Sequence, residues 1–261
     1  VIDGIQRALA GHSIASDVYR TPAEDPASRQ ELSSGGAQCA IGVGLDGLRA
    51  LLAAGSRIPV VATMTFRGDF AASSGAGSES KVAGAVWLDL PVSSVAAGLL
   101  LAFPSATRLV LVRNPSQPET APGTLPPGIT LKPVECRTAP ELLTALRKLR
   151  GQADFVICTP DSELYNKSTV EPLILASLEH KLPLVGYSAS FVHAGAAVGV
   201  YPDFAEVGRQ TAGICERIIG NAPGTHEEYP RRTSVAVNER VLHLLGREFR
   251  PGPNGEVTVI R

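Results

Sequence analysis

Short apolar runs alternate along the chain with longer stretches whose apolar residues recur every three or four positions. Runs at 14–19, 39–43, 58–64, 82–88, 108–112, 130–136, 155–158, 184–187 and 234–237 read as strands. Most are β-branched and apolar at consecutive positions, which suits strands covered on both faces. Helices with readable starts separate them. Thr138-Ala-Pro-Glu141 is a capping box ahead of Leu142, Leu143, Leu146 and Leu149, which share one helix face. Ser168-Thr-Val-Glu171 has the same form, and Asp203-Phe-Ala-Glu206 has its spacing with Asp as cap. Val207, Ile214, Cys215 and Ile218 then keep helical period until Gly220 and Pro223 stop it. Asp46 can cap the run ending near Ala54, with Gly55 as its stop; Asn238 can cap a short helix that Gly246 ends. Strands alternating with helices predict parallel α/β sheets.

Two segments break the rhythm. Residues 68–81 (GDFAASSGAGSESK) are Gly/Ser-rich and read as a flexible loop, and residues 113–128 (RNPSQPETAPGTLPPG) are too Pro-rich for regular structure. After Phe249 a polar tail carries a candidate terminal strand at 257–260. The chain opens on a helix at 2–10, where a doubly wound domain has a strand. That first strand is expected upstream of Val1.

Composition narrows the classes. The 261 residues are 44% hydrophobic, enough for a real core in one large domain or two smaller ones. A net charge of −1, with no basic run longer than Arg231-Arg232, supplies no general attraction to nucleic acid or an anionic membrane. No apolar run approaches the roughly 18–20 residues of a membrane helix. The cysteines at 39, 136, 158 and 215 form no C-x-x-C pair and read as buried small hydrophobes. Their spacing with the five histidines predicts no metal site, and sequence leaves one disulfide open without naming its partners. No G-x-S-x-G elbow, H-E-x-x-H or P-loop is present, and Gly42-Val-Gly44 lacks a third glycine. The chain therefore reads as a binder rather than an enzyme, with no cofactor implied.

One long stretch carries a resemblance. "LPLVGYSASFVHAGAAVGVYPDFAEVGRQTAGICERIIGNAP", followed by "AVNERVLHLLG", resembles the periplasmic substrate-binding proteins of ABC transporters, in the group with tryptophan/tyrosine-type binding components. The matching positions are Tyr187, Ser188, Gly195, Tyr201, Asp203, Gly208, Arg209, Gln210, Asn238, Leu245 and Gly246. "AVWLDLPVSSVAAGLLLAFPSATRLVLVRNP" and "ADFVICTPDSELYN" are similar to other segments of that group. The chain departs from the group at Gly44-Leu45-Asp46-Gly47, where a hydroxyl-bearing turn is usual, and at Thr65-Phe66-Arg67-Gly68, where Asp-Pro is usual. The identity of a ligand stays open on that account.

The resemblance implies a type I periplasmic-binding fold: two doubly wound parallel-sheet lobes joined by three crossovers near residues 88–91, 199–202 and 232–235. Residues 1–87 plus 202–231 would form the first lobe and 90–199 plus 234–261 the second. It also implies a small-molecule solute taken up by hinge closure, a membrane permease as partner, and a periplasmic or lipid-anchored extracytoplasmic location, with any signal peptide upstream. The chain itself would not span the membrane.

Open α/β sheets bind ligands beyond the carboxyl ends of their strands, where helix N-termini also point. By that rule the second lobe offers Arg113, Asn114, Thr159, Asp161, Ser162, Tyr187, Ser188, Ser190 and the crossover residue Tyr201. The first offers Leu45, Asp46, Thr65, Phe66 and Arg67. Asp161 could pair an ammonium, and Tyr187 could lay a flat apolar face on the solute. Plainer roles compete. Asp46 and Asp161 also suit caps, Asp203 reads as a cap, Arg67 suits a solvated loop, Tyr201 suits hinge packing and Trp87 suits core. His193 and His243 read as helix residues without catalytic duty. Two other functions remain open: the effector-sensing core of a transcription regulator of this fold, and a small-molecule enzyme on a Rossmann-like fold.

Overall fold

The structure is a computed structural model that describes residues 2–18, 36–73, 82–117, 123–224, 226–249 and 257–260. In chain order the elements are α1 (Ile2–Gly11), β1 (Ala40–Val43), α2 (Gly44–Ala53), β2 (Val60–Thr65), α3 (Arg67–Ser73) and β3 (Gly84–Trp87). There follow α4 (Val92–Ala102), β4 (Arg108–Arg113), β5 (Thr130–Glu135), α5 (Ala139–Leu149), β6 (Phe155–Cys158), α6 (Val170–Glu179), β7 (Leu184–Gly186) and α7 (Ala189–Ala194). The chain continues through β8 (Val198–Pro202), α8 (Phe204–Ile219), β9 (His226–Glu228), β10 (Thr233–Asn238), α9 (Glu239–Leu244) and β11 (Val257–Ile260). The chain divides into two compact units, Val1–Asp89 with Pro202–Arg232, and Leu90–Tyr201 with Thr233–Arg261.

The first unit is built on a four-stranded sheet in the order β1-β2-β3-β9, all pairs parallel. Its strands bury side chains on both faces. Val61 and Val86 pack with Ile5 and Leu9 of α1 and Val207 and Ile214 of α8. Val60, Ala62, Ala85 and Trp87 pack the other way, against Leu48 and Leu51 of α2 and Phe70 of α3. Phe70 stacks on Trp87 at 5.6 Å between centroids, so Trp87 is core. Gly42 has a steric reason: a Cβ there would lie 2.6 Å from Leu48 Cα, so only glycine lets α2 fold back this closely on β1.

The second unit carries a seven-stranded sheet in the order β11-β10-β8-β7-β6-β4-β5. β5, β4, β6, β7 and β8 run parallel in turn, as do β10 and β11. Alternate strand residues feed two separate cores. Leu109, Phe155, Val185, Val198 and Val235 meet α4 and α9, while Val110, Val112, Val156, Cys158 and Leu184 meet α5, α6 and α7. β10 lies beside β8 in the opposite direction, with Asn238 N donating to Ala197 O and Asp203 N to Arg232 O, so the pair β10-β11 runs against the other five strands. The first unit is thus an all-parallel sheet and the second a mostly parallel one, each with helices on both faces, as consecutive apolar runs predict.

Several sequence expectations need correction. Residues 14–18 form no strand, and Tyr19 lies outside the described residues. The expected loop at 68–81 starts as helix α3, because Phe70 is drawn onto Trp87; residues 74–81 lie outside the described residues. Asp46 does not cap α2. The helix begins two residues earlier, at Gly44, with Val43 at the capping position and no side-chain cap. Ser168 does not cap α6 either: its hydroxyl donates to Asn166 Oδ1, and Thr169 occupies the capping position. The other three caps form. Thr138, Asp203 and Asn238 accept from Glu141 N, from Ala205 and Glu206 N, and from Val241 N.

Candidate functional site

In the second unit β4, β6 and β7 are neighbours running in one direction, so their carboxyl-end turns fall on one sheet edge. That places together Arg113 at the end of β4 and Asn114 after it, Thr159, Asp161 and Ser162 after β6, and Tyr187, Ser188 and Ser190 after β7. Hydrogen bonds tie the first two turns directly. Thr159 Oγ1 donates to Val112 O at 3.1 Å, and Asn114 Nδ2 donates to Glu163 Oε2 at 2.9 Å. Tyr187 joins by ring packing with Tyr165 and Phe191, at 5.9 and 5.5 Å between centroids.

The polar groups of this edge divide by what they already hold. Asn114 is buried, and its Oδ1 accepts from Ser116 N. Ser188 caps α7 by accepting from Phe191 N. Arg113 forms an ion pair with Glu135 at 2.7 Å. Ser162 and Ser190 are exposed. Tyr201 is the penultimate residue of β8, half-buried, and burial raises its phenol above the ordinary value.

Asp161 differs from all of these. It is 4% exposed. Its Oδ1 accepts from Glu163 N at 2.7 Å and Leu164 N at 2.9 Å, pinning the turn beyond β6. Its Oδ2 is buried and has no hydrogen-bond partner among the described residues. Both readings of Asp161, cap and ligand group, therefore have an oxygen to themselves. Beneath the turn, burial raises Tyr165 well above the usual phenol and Cys158 to about 12, so both stay neutral.

In the first unit the carboxyl ends of β1, β2 and β3 are likewise adjacent. Leu45 and an exposed Asp46 lie in the first turn of α2, and Thr65 ends β2. A register shift between Thr63 and Thr65 leaves Met64 at φ 59°, a left-handed conformation costly for a side chain without special support. This irregularity sets the direction of Thr65, Phe66 and Arg67. The backbone N–H of Arg67 donates to Asp89 Oδ2 at 2.8 Å, and its guanidinium meets Glu227 at 3.5 Å and the Tyr229 hydroxyl at 3.4 Å. Arg67 is thus built into an edge rather than a solvated loop. Burial raises the Asp89 carboxyl and the charge of Asp69 adds to this, while the backbone N–H and charge of Arg67 oppose it.

Sequence reasoning passed over Asp89, Glu227 and Tyr229. Asp89 follows the strand run at 82–88 directly, so the carboxyl-end rule could have found it. Glu227 and Tyr229 lie in and just beyond β9, three residues with no apolar signature. Among the described residues no group of three or more His, Cys, Asp or Glu side chains is arranged to hold a metal ion. No helix among them is long and apolar enough to cross a membrane. A depression of about 680 Å³ beside α6 is lined by Tyr165, Asn166, Val170, Glu171, Ile174 and Ala194 among others, and by none of the predicted site residues.

No family model matches the chain, and no curated protein matches it. Solved structures do. A ligand-free, open substrate-binding protein with adhesive properties from Clostridium difficile aligns over 100% of this chain and 93% of its own, at 15% identity and a TM-score of 0.64. An ABC domain in complex with L-Trp from Streptococcus pneumoniae aligns over 99% of this chain and 94% of its own, at 14% identity and a TM-score of 0.56. A conserved domain protein from Vibrio cholerae aligns over 98% and 93%, at 18% identity and a TM-score of 0.55. With its two predominantly parallel sheets covered on both faces, the chain has the type I periplasmic-binding fold found in substrate-binding proteins of ABC systems.

Proposed function

We propose that the chain is the solute-binding component of an ABC import system. It takes up a small polar, amino-bearing solute on the carboxyl-edge turns of its sheets, outside the cytoplasmic membrane, and delivers it to a membrane permease. The observation that carries this reading is Asp161, a buried carboxylate at a strand end whose Oδ2 has no donor among the described residues. Leaving a buried acceptor unpaired is costly, and an ammonium group of a solute supplies the missing charge-assisted bond. Half-buried Tyr187 offers a flat apolar face nearby, and the exposed hydroxyls of Ser162 and Ser190 supply orienting polar groups. The L-Trp held by the Streptococcus protein puts amino acids first among the solutes to test.

The test is mass spectrometry of what co-purifies with the protein, followed by a thermal-shift screen of amino acids, amines and small carboxylates. A true solute at about 100 times its dissociation constant stabilises the protein by about 2.7 kcal/mol. An amino-bearing hit supports the reading. Stabilisation by carboxylates alone rejects the role given to Asp161, and silence across the whole screen rejects solute binding.

A further inference from the structure

Cys39 and Cys215 stand 176 positions apart in sequence, yet their sulfurs lie 3.8 Å apart in the first unit. We infer that these two residues form a reversible disulfide that ties the chain entering β1 to the middle of α8. Two thiols from remote segments, brought within a short movement of bonding distance, are a built pair. The bond needs the sulfurs at about 2.05 Å, so they must close by roughly 1.8 Å. Cys39 precedes β1 and is only half-buried, so its side chain can turn without breaking a ladder or a helix. Cys215 is 2% exposed and packed with Val207, Ala212 and Ile214, so it is the fixed partner.

The surroundings set the order of events. Hydrogen bonding to Cys215 lowers the Cys39 thiol, against the opposing effect of burial. The same bond, with burial, pushes Cys215 up. Cys39, more exposed and more acidic, is the attacking sulfur. Its thiolate attacks one sulfur of a low-molecular-weight disulfide, breaking that S–S bond and releasing one small thiolate. Cys215 then loses its proton to solvent and attacks Cys39 Sγ, expelling nothing from the protein but the second small thiolate. Both protein thiols are oxidised and the small disulfide is reduced to two thiols. Cys136 and Cys158 lack these conditions. Both are buried, burial raises both thiols, and Cys158 lies against the Tyr165 hydroxyl rather than another sulfur.

The experiment incubates the folded 261-residue chain with glutathione disulfide. It is then acid-quenched and denatured, its free thiols are alkylated, and its peptides are mapped by mass spectrometry without reduction. The expected result is loss of two of the four thiols, one linked peptide pair containing Cys39 and Cys215, and full recovery of the thiols on reduction. In C215S, the expected product is a stable glutathione adduct on Cys39 alone. The wild-type map needs no variant to fold. Four alkylated thiols after prolonged incubation overturn the inference, as does linkage of any other pair or linkage only between molecules.

Discussion

Replacing Asp161 by Asn and by Ala separates its two tasks. Asp161→Asn keeps an acceptor at Oδ1 for Glu163 N and Leu164 N, at 2.7 and 2.9 Å, so the turn beyond β6 survives. It removes the charge and puts an amide N–H₂ where the unpartnered Oδ2 stood. If that oxygen receives a solute ammonium, the loss is one charge-assisted hydrogen bond, about 1.5–3 kcal/mol, or roughly 10- to 100-fold in affinity. Asp161→Ala also removes both turn bonds, at about 0.5–1.5 kcal/mol each, so it should lower stability by about 1–3 kcal/mol as well. Calorimetric titration with an amino-bearing solute found in the screen reads the first quantity, and thermal melts of the solute-free proteins read the second. The expected pattern is weak binding in both variants with a lowered melting temperature in Ala only. A dissociation constant within twofold of wild type in Asp161→Asn refutes the ligand role and leaves Asp161 a turn residue.

Three further predictions concern the frame that holds these turns. Asp203→Ala removes the acceptor for Ala205 and Glu206 N, and should cost about 1 kcal/mol in a denaturant titration with solute affinity nearly unchanged. Gly84→Ala puts a Cβ 2.5 Å from Ile214 Cγ2 and 3.1 Å from His226 O, so the Ile214 side chain must give way; overpacking should cost about 1–3 kcal/mol in the same titration. Asp154 supplies a pH dependence. Burial raises its carboxyl, but the Arg108 side chain and the N–H groups of Thr107 and Arg108 override this and hold it at about 2. A carboxyl lowered on folding contributes stability above its unfolded value, and that contribution is lost as pH falls from about 4 through about 2. With its side chain 15% exposed and its partner Arg108 half in solvent, the contribution is about 1–2 kcal/mol after screening. Melts of wild type and Asp154→Asn should therefore differ at pH 6 and converge near pH 2.

The sequence by itself determined the elements whose signal is local. The strand at Phe155–Cys158 and the helix opened by Thr138 are readable because consecutive apolar β-branched residues and a capping side chain act within a few residues of themselves. Asp203 and Asn238 are read as caps for the same reason. It also determined which turns follow strand ends, and hence that Asn114, Asp161 and Tyr187 share an edge once the strands pair in parallel. Tertiary structure decided whatever depended on a distant partner. β9 is three polar residues that become a strand only because β3 offers an open edge. α3 forms where a loop was expected because Phe70 finds Trp87. Asp46 looks like a cap in isolation, but the close approach of Leu48 to Gly42 starts α2 earlier and leaves that carboxylate exposed on its first turn. The division of labour within Asp161, and the meeting of Cys39 with Cys215, arise from burial and from contacts that span the chain. Periodicity carries no record of either, because it encodes which face a residue takes and not which residue it meets there.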